Sequence, residues 1–242
     1  MIGLSAFALA VLTGCLPESG KRRSSTLGET PSRVDVLVTE CVLCHSTLEA
    51  QRGPILNGMD HWYLLEQIQK FRSGVRGQNP DNRSEYLMGM AAKKIQNDFE
   101  MAFSADWFAK QKPLPAVRTV PGNVEAGAEL YALRCASCHG ENADGNSTLL
   151  SPSLTRLEGW YFLDQMRKFR SGLRGKSPAD LGGKIMAAAS VDLTNQQLRD
   201  VVAYVVETFG PPKAPSIREQ TLQRFAEAQE GNATREKNPA KP

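Results

Sequence analysis

Histidine is scarce in this chain, with only three in 242 residues, and cysteine stops at five. So small a supply excludes a scaffold stapled by many disulfides and any centre that spends several histidines on acid–base work. Long apolar runs are missing as well: no segment reaches the roughly twenty residues that a membrane-spanning helix needs. A concentrated charge of one sign is also absent. Residues 25–112 carry ten Lys/Arg against eleven Asp/Glu, and residues 122–212 carry nine against ten. The small basic excess lies outside these stretches, in 15–24, at Arg118 and in 213–242, which excludes a nucleic-acid footprint of basic residues gathered on one folded face. With 41% apolar and 23% charged residues, the composition is that of a soluble globular protein of one or two domains.

The few cysteines and histidines are concentrated in two places. Cys41-Val42-Leu43-Cys44-His45 and Cys135-Ala136-Ser137-Cys138-His139 are both C-x-x-C-H. In this pattern two thiols on successive turns of a short helix can add across the vinyl groups of a haem, and the adjacent imidazole can swing beneath the macrocycle to bind iron. A redox dithiol, or four thiolates around one zinc, are the other uses of C-x-x-C. The matching surroundings of the two copies favour two covalently bound haem c groups, attached through Cys41, Cys44, Cys135 and Cys138, with His45 and His139 as proximal iron ligands.

Those surroundings form a repeat. Residues 60–77 align with 158–175 without a gap, including Trp62-Tyr63 with Trp160-Tyr161 and Lys70-Phe71-Arg72-Ser73-Gly74 with Lys168-Phe169-Arg170-Ser171-Gly172. Pro54/Pro152 and Pro80/Pro178 keep the register, so the second copy has a four-residue insertion in the loop Asn142-Ala143-Asp144-Gly145-Asn146. Leu64, Ile68, Phe71 and Phe162, Met166, Phe169 have the spacing of an amphipathic helix whose apolar face can cover a haem edge. Gly74 and Gly172 end that helix. Arg72, Arg76, Arg170 and Arg174 are either solvated helix-end residues or pair with haem propionates or a partner.

Each repeat closes with another helix. Thr194 and Gln197 form a capping box before Leu198, Val201, Val202 and Val205, and Gly210-Pro211-Pro212 ends the helix. Asn97 and Glu100 cap its counterpart, with Met101, Ala105 and Phe108 on the stripe. Ser32 to Glu40 reads as a helix, with Val34, Val36, Leu37 and Val38, running into the first haem motif. Met186 and Met88 occupy equivalent places, each followed seven positions later by an apolar residue, Leu193 or Ile95. A soft thioether there suits the sixth position on iron. Met90 competes with Met88 for that role. Pro54 and Pro152 follow the proximal histidines, where a backbone carbonyl can accept the ring N–H. His61 has Gly159 as its counterpart and reads as a surface residue.

The first fourteen residues are apolar and too short to cross a bilayer, so they read as a secretory signal, although no Lys or Arg precedes Lys21. Leu12-Thr13-Gly14-Cys15 resembles a bacterial lipobox, which makes Cys15 a site of lipidation. The expected organisation is a signal at 1–14, a tether at 15–29, domains at 30–112 and 122–212 joined by a Pro-rich linker at 113–121, and a tail at 213–242 with one short helix from Ile217 to Gln229.

C-x-x-C-H, a following Pro, an aromatic-led helix ending F-R-S-G-x-R-G, and a Met before an apolar last helix together resemble a class I cytochrome c domain. Two in tandem resemble the c4-type dihaem cytochromes over roughly residues 30–212. The resemblance implies an all-α fold of two small helical shells, each around one haem, with first and last helices crossing. Gly127 and Tyr131 suit that crossing in the second repeat, whereas Arg33 and Leu37 stand there in the first. It further implies attachment of haem outside the cytoplasmic membrane, and hence a periplasmic protein; the lipobox-like ending adds the expectation that lipid at Cys15 holds it to the membrane. The implied role is to carry single electrons without acting as an enzyme, from a quinol-oxidising complex or dehydrogenase to a terminal oxidase. A cytochrome subunit of a dehydrogenase or oxidase complex, and a dihaem peroxidase, are the alternatives.

Overall fold

A computed structural model of the chain describes residues 32–46, 53–216 and 218–227. The lipobox, Cys15 and the tether lie outside the described residues. Every regular element among those described is helical, apart from two isolated bridges, Ala116 with Lys213 and Asn146 with Ser151.

The first repeat contains α1 (Arg33–Cys44), α2 (His61–Arg72), α3 (Arg83–Ala92) and α4 (Asp98–Lys110). Ser32 starts α1 through a reciprocal capping box with Asp35, and the helix continues past Glu40 through both cysteines of the first motif. The second repeat contains α5 (Val124–Arg134), α6 (Ala136–His139), α7 (Gly159–Ser171), α8 (Leu181–Ser190) and α9 (Asn195–Thr208). Here the motif is separated from the long helix, because α5 ends at Arg134 and α6 carries Cys138 and His139. The two attachment motifs are thus alike in sequence and different in backbone.

Asn97 and Thr194 cap the last helices as expected, although only Thr194 forms the reciprocal box. Glu100 is drawn elsewhere: its carboxylate accepts from Arg33 Nε at 2.7 Å and from the Gln96 N–H at 2.8 Å. Leu198, Val201, Val202 and Val205 are fully buried on α9, each contributing about 1.5–3 kcal/mol by leaving water. In the second repeat α5 crosses α9 at Gly127, where a β-carbon would strike the Asp200 carbonyl, and Tyr131 packs on Tyr204 and Phe209. In the first repeat α1 still meets α4, and Arg33 bridges the contact to Glu100 and the Lys94 carbonyl.

The segment between the repeats is a strap laid along the chain after α9. The Ala116 N–H donates to the Pro212 carbonyl, Ala214 N–H donates back to Ala116, and Arg118 reaches the Pro211 carbonyl. Residues 218–227 are helical, within the expected tail helix, with Leu222 and Phe225 exposed.

Candidate haem sites

His139 is buried, and its Nδ1 lies 2.9 Å from the Pro152 carbonyl oxygen; His45 Nδ1 lies 2.7 Å from that of Pro54. A carbonyl can only accept, so Nδ1 carries the proton in both rings and Nε2 keeps its lone pair for a metal. Burial drives both imidazoles below the usual histidine range, toward the neutral form that binds iron, and the carbonyl contact only partly opposes this. The two rings are braced differently. His45 rests on Gly53, where a β-carbon would come within 2.5 Å of its Cε1. In the second repeat the loop beyond His139 is tied by the Tyr131 hydroxyl, which donates to the Gly140 carbonyl at 2.6 Å, and by the Gly145 N–H donating to His139 O.

In the second repeat His139 shares its cavity with Met186. Cys135, Cys138, Leu149 and Ile185 line it together with Met166, and Phe162 lines the adjoining hollow that shares His139, Met166 and Met186. All four motif cysteines are half-buried, and none is in a disulfide. Among the described residues no group of three or more His, Cys, Asp or Glu could hold a metal ion, so the two C-x-x-C pairs do not merge into one zinc site. Arg174 lines the adjoining hollow, buried, and its Nε has no hydrogen-bond partner. An apolar cleft with a neutral imidazole, adjacent thiols, a thioether and an unpaired cationic N–H fits a haem with its acidic substituents.

In the first repeat Met88 is half-buried on α3 while Met90 is 49% exposed. Ile95 and Leu193 are buried, as their placement seven residues after each methionine predicts. His61 is exposed.

A family model described as Cytochrome c matches residues 124–209. Cytochrome c4 of Azotobacter vinelandii is 28% identical over 177 residues, spanning 68% of this chain and 82% of that protein. The thiosulfate dehydrogenase electron acceptor of Stutzerimonas stutzeri is 30% identical over 166 residues, 63% of this chain and 73% of that protein. The chain belongs to the class I cytochromes c, in the tandem dihaem arrangement of cytochrome c4. The fold agrees: reduced cytochrome c4 from Pseudomonas stutzeri superposes with a TM-score of 0.55 at 22% identity, covering 71% of this chain and 96% of that one. Two covalently bound haem c groups and electron transfer between redox proteins follow from this membership.

The two halves of this cytochrome meet through polar groups, among them arginines for which the sequence left both a solvated end and a partner open. Arg76 and Arg174 are not solvated helix ends; both are buried between the repeats. Arg76 donates to Gln67 at 2.6 Å, to Glu85 at 2.6 Å and to Gln165 of the other repeat at 3.3 Å. Arg174 mirrors it, donating to Gln165 at 2.7 Å and across to Gln67 at 3.0 Å. Each guanidinium also lies over its own phenylalanine, Phe71 or Phe169. Arg72 and Arg170 instead cap backbone carbonyls, those of Gln96 and Leu193. Burial pushes the Glu85 carboxyl up, but Arg76, with Arg174 and Lys168 near it, more than offsets this and holds it below the usual range. A signal for this interface was present in the sequence: Gln67/Gln165, Lys70/Lys168 and Arg76/Arg174 are identical polar residues repeated at matching positions.

Proposed function

We propose that this cytochrome is a periplasmic, lipid-anchored electron carrier without catalytic turnover, in which His45 with Met88 and His139 with Met186 are the axial iron ligands. The observation that carries the reading is the paired arrangement of each imidazole, held as its Nδ1–H form by a proline carbonyl, with Met186 on the wall of the cavity that contains His139. When bound, the haems supply a one-electron Fe(III)/Fe(II) couple. The protein's own residues do the rest. The Pro54 and Pro152 carbonyls orient the imidazoles, the thiols fix the macrocycles, and the thioethers favour the reduced metal. Leu64, Ile68, Phe71 and their counterparts Phe162, Met166 and Phe169 keep water from the sites. No step needs an acid or base from the chain.

Likeness to a thiosulfate dehydrogenase electron acceptor supports a dehydrogenase as donor; a quinol-oxidising complex is the other donor proposed, and a terminal oxidase the acceptor. The apolar signal ending at Cys15 supports anchoring by lipid on the periplasmic side. Domain limits of 30–112 and 122–212 suit the helices found, with 113–121 as the strap.

Pyridine haemochrome quantitation with a reduced-minus-oxidised spectrum tests the reading, alongside stopped-flow oxidation by an oxidase preparation and by peroxide. Two low-spin haems per chain and fast oxidation by the oxidase alone are expected. A high-spin haem with rapid, saturable peroxide reduction would overturn the carrier assignment.

A further inference from the structure

Asp60 and Glu158 stand at the N-caps of α2 and α7, where an Asp ordinarily turns onto its own helix, yet neither makes a side-chain cap bond. Each instead reaches the other repeat. Glu158 Oε2 accepts the Ile55 N–H at 2.8 Å, and Asp60 Oδ2 accepts the Ser153 N–H at 3.2 Å. Ile55 and Ser153 are the residues immediately after Pro54 and Pro152. The N–H that meets the carboxylate and the C=O that meets the proximal histidine therefore belong to the same peptide group.

We infer that Glu158 tunes the haem held by His45, and Asp60 the haem held by His139, each acting across the repeat boundary through one shared peptide unit. This rests on the ligand assignment proposed above. A carboxylate on the N–H side of an amide draws the proton toward itself and shifts electron density to the carbonyl oxygen, which then accepts more strongly from imidazole Nδ1–H. The imidazole gains anionic character and becomes a stronger donor to iron, which favours Fe(III) and lowers the potential. Glu158 is buried and Ile55 is buried, so the effect is little weakened by water. Asp60 is less buried and its bond is longer, so its effect is the smaller one. The relay also makes each potential depend on how the repeats are docked, because the carboxylate comes from the other half.

Glu158→Gln and Asp60→Asn, made in the full-length holoprotein, keep an acceptor oxygen while removing the charge. The readouts are the midpoint potential of each haem and the proton NMR shift of each axial histidine Nδ1–H in the diamagnetic reduced state. For Glu158→Gln the expected result is a higher potential for the His45 haem, an upfield shift of the His45 Nδ1–H, and no change at His139. Asp60→Asn should do the converse, with a smaller shift. A role confined to docking the repeats predicts that both amides leave potentials and protons in place, and that result overturns the relay. So does a rise in potential without movement of the Nδ1–H, which marks plain through-space charge. If the sulfur-to-iron band is present and the His45 proton is unmoved, the relay alone fails; if the unmutated protein lacks axial histidine resonances, the ligand assignment fails with it.

Discussion

Lys70 Nζ lies 2.6 Å from Asp180 Oδ1 across the boundary between the repeats, and both side chains are almost wholly buried. Their counterparts do not repeat the pair. Lys168 turns to the Ser84 hydroxyl at 3.0 Å, with Glu85 at 3.8 Å. The aligned position of Asp180 is Asn82, and that of Glu85 is Gly183. Asp180 fills the space over Gly183, where a β-carbon would collide with its carboxylate, and caps α8 through the Gly183 N–H. Each repeat thus supplies one carboxylate to the other's lysine, from different positions in the motif.

Removing one partner of such a pair leaves a buried charge less well compensated. Asp180→Ala leaves Lys70 with only Glu66 and takes away the α8 cap, so a loss of about 3 kcal/mol is expected. Asp180→Asn retains the cap and loses less. Chemical denaturation of the holoprotein, followed by far-UV circular dichroism, measures both; equal stability of Asp180→Ala and the parent would show that the pair contributes nothing.

Acid should weaken the same interface. The Asp180 carboxyl, pushed up by burial but held down more strongly by Lys70 and the Gly183 N–H, lies below its ordinary 3.8, and Glu85 lies below its ordinary 4.5. A folded-state value depressed in this way contributes stability that is fully present above the ordinary values and is lost as the pH falls through the native ones. Thermal midpoints recorded from neutral pH downward should therefore drop on the acid side of these values. The drop should be shallower in Glu85→Gln, and an unchanged slope in that variant would remove Glu85 from the account.

Ligation separates the two candidate methionines of the first repeat. Met88→Ala should abolish the sulfur-to-iron band of one haem and lower its potential, since a thioether raises it. Met90→Ala, on the exposed side of α3, should leave both unchanged. The reverse pattern in the optical titration would reassign the ligand.

Gly53→Ala tests the brace behind His45. Its β-carbon has no room against the imidazole, so the ring must tilt or the loop must move. The expected outcome is a perturbed potential and weaker Nδ1–H bond at the first haem, read by redox titration and reduced-state NMR. Gly127→Ala should instead lower stability by about 1–3 kcal/mol through the α5–α9 crossing, without moving either potential.

Helices and attachment sites were legible because their causes are local. C-x-x-C-H binds within a few bonds of backbone, and the spacing of Leu64, Ile68 and Phe71 expresses the helical period directly. Thr194, Gln197 and Asn97 satisfy N–H groups three residues away. Met88 and Met186 emerged from comparing one half of the chain with the other. The arginines were harder: Arg72 and Arg76 are one turn apart on or beside the same helix end, yet one meets a surface carbonyl and the other is enclosed.

The sequence by itself determined two haem-binding repeats, their attachment motifs and the helices at 61–72, 98–110, 159–171 and 195–208, because each of these is set by spacing within one repeat. Only the tertiary structure decided that Arg76, Arg174, Lys70 and Asp180 are buried, and that Asp60 and Glu158 abandon their own helices for the other half. Those outcomes depend on which surface of one repeat meets which surface of the other. A charged residue at a helix end has the same local pattern whether water or a second domain lies beyond it; desolvation and pairing across the boundary arise only once the halves are packed together.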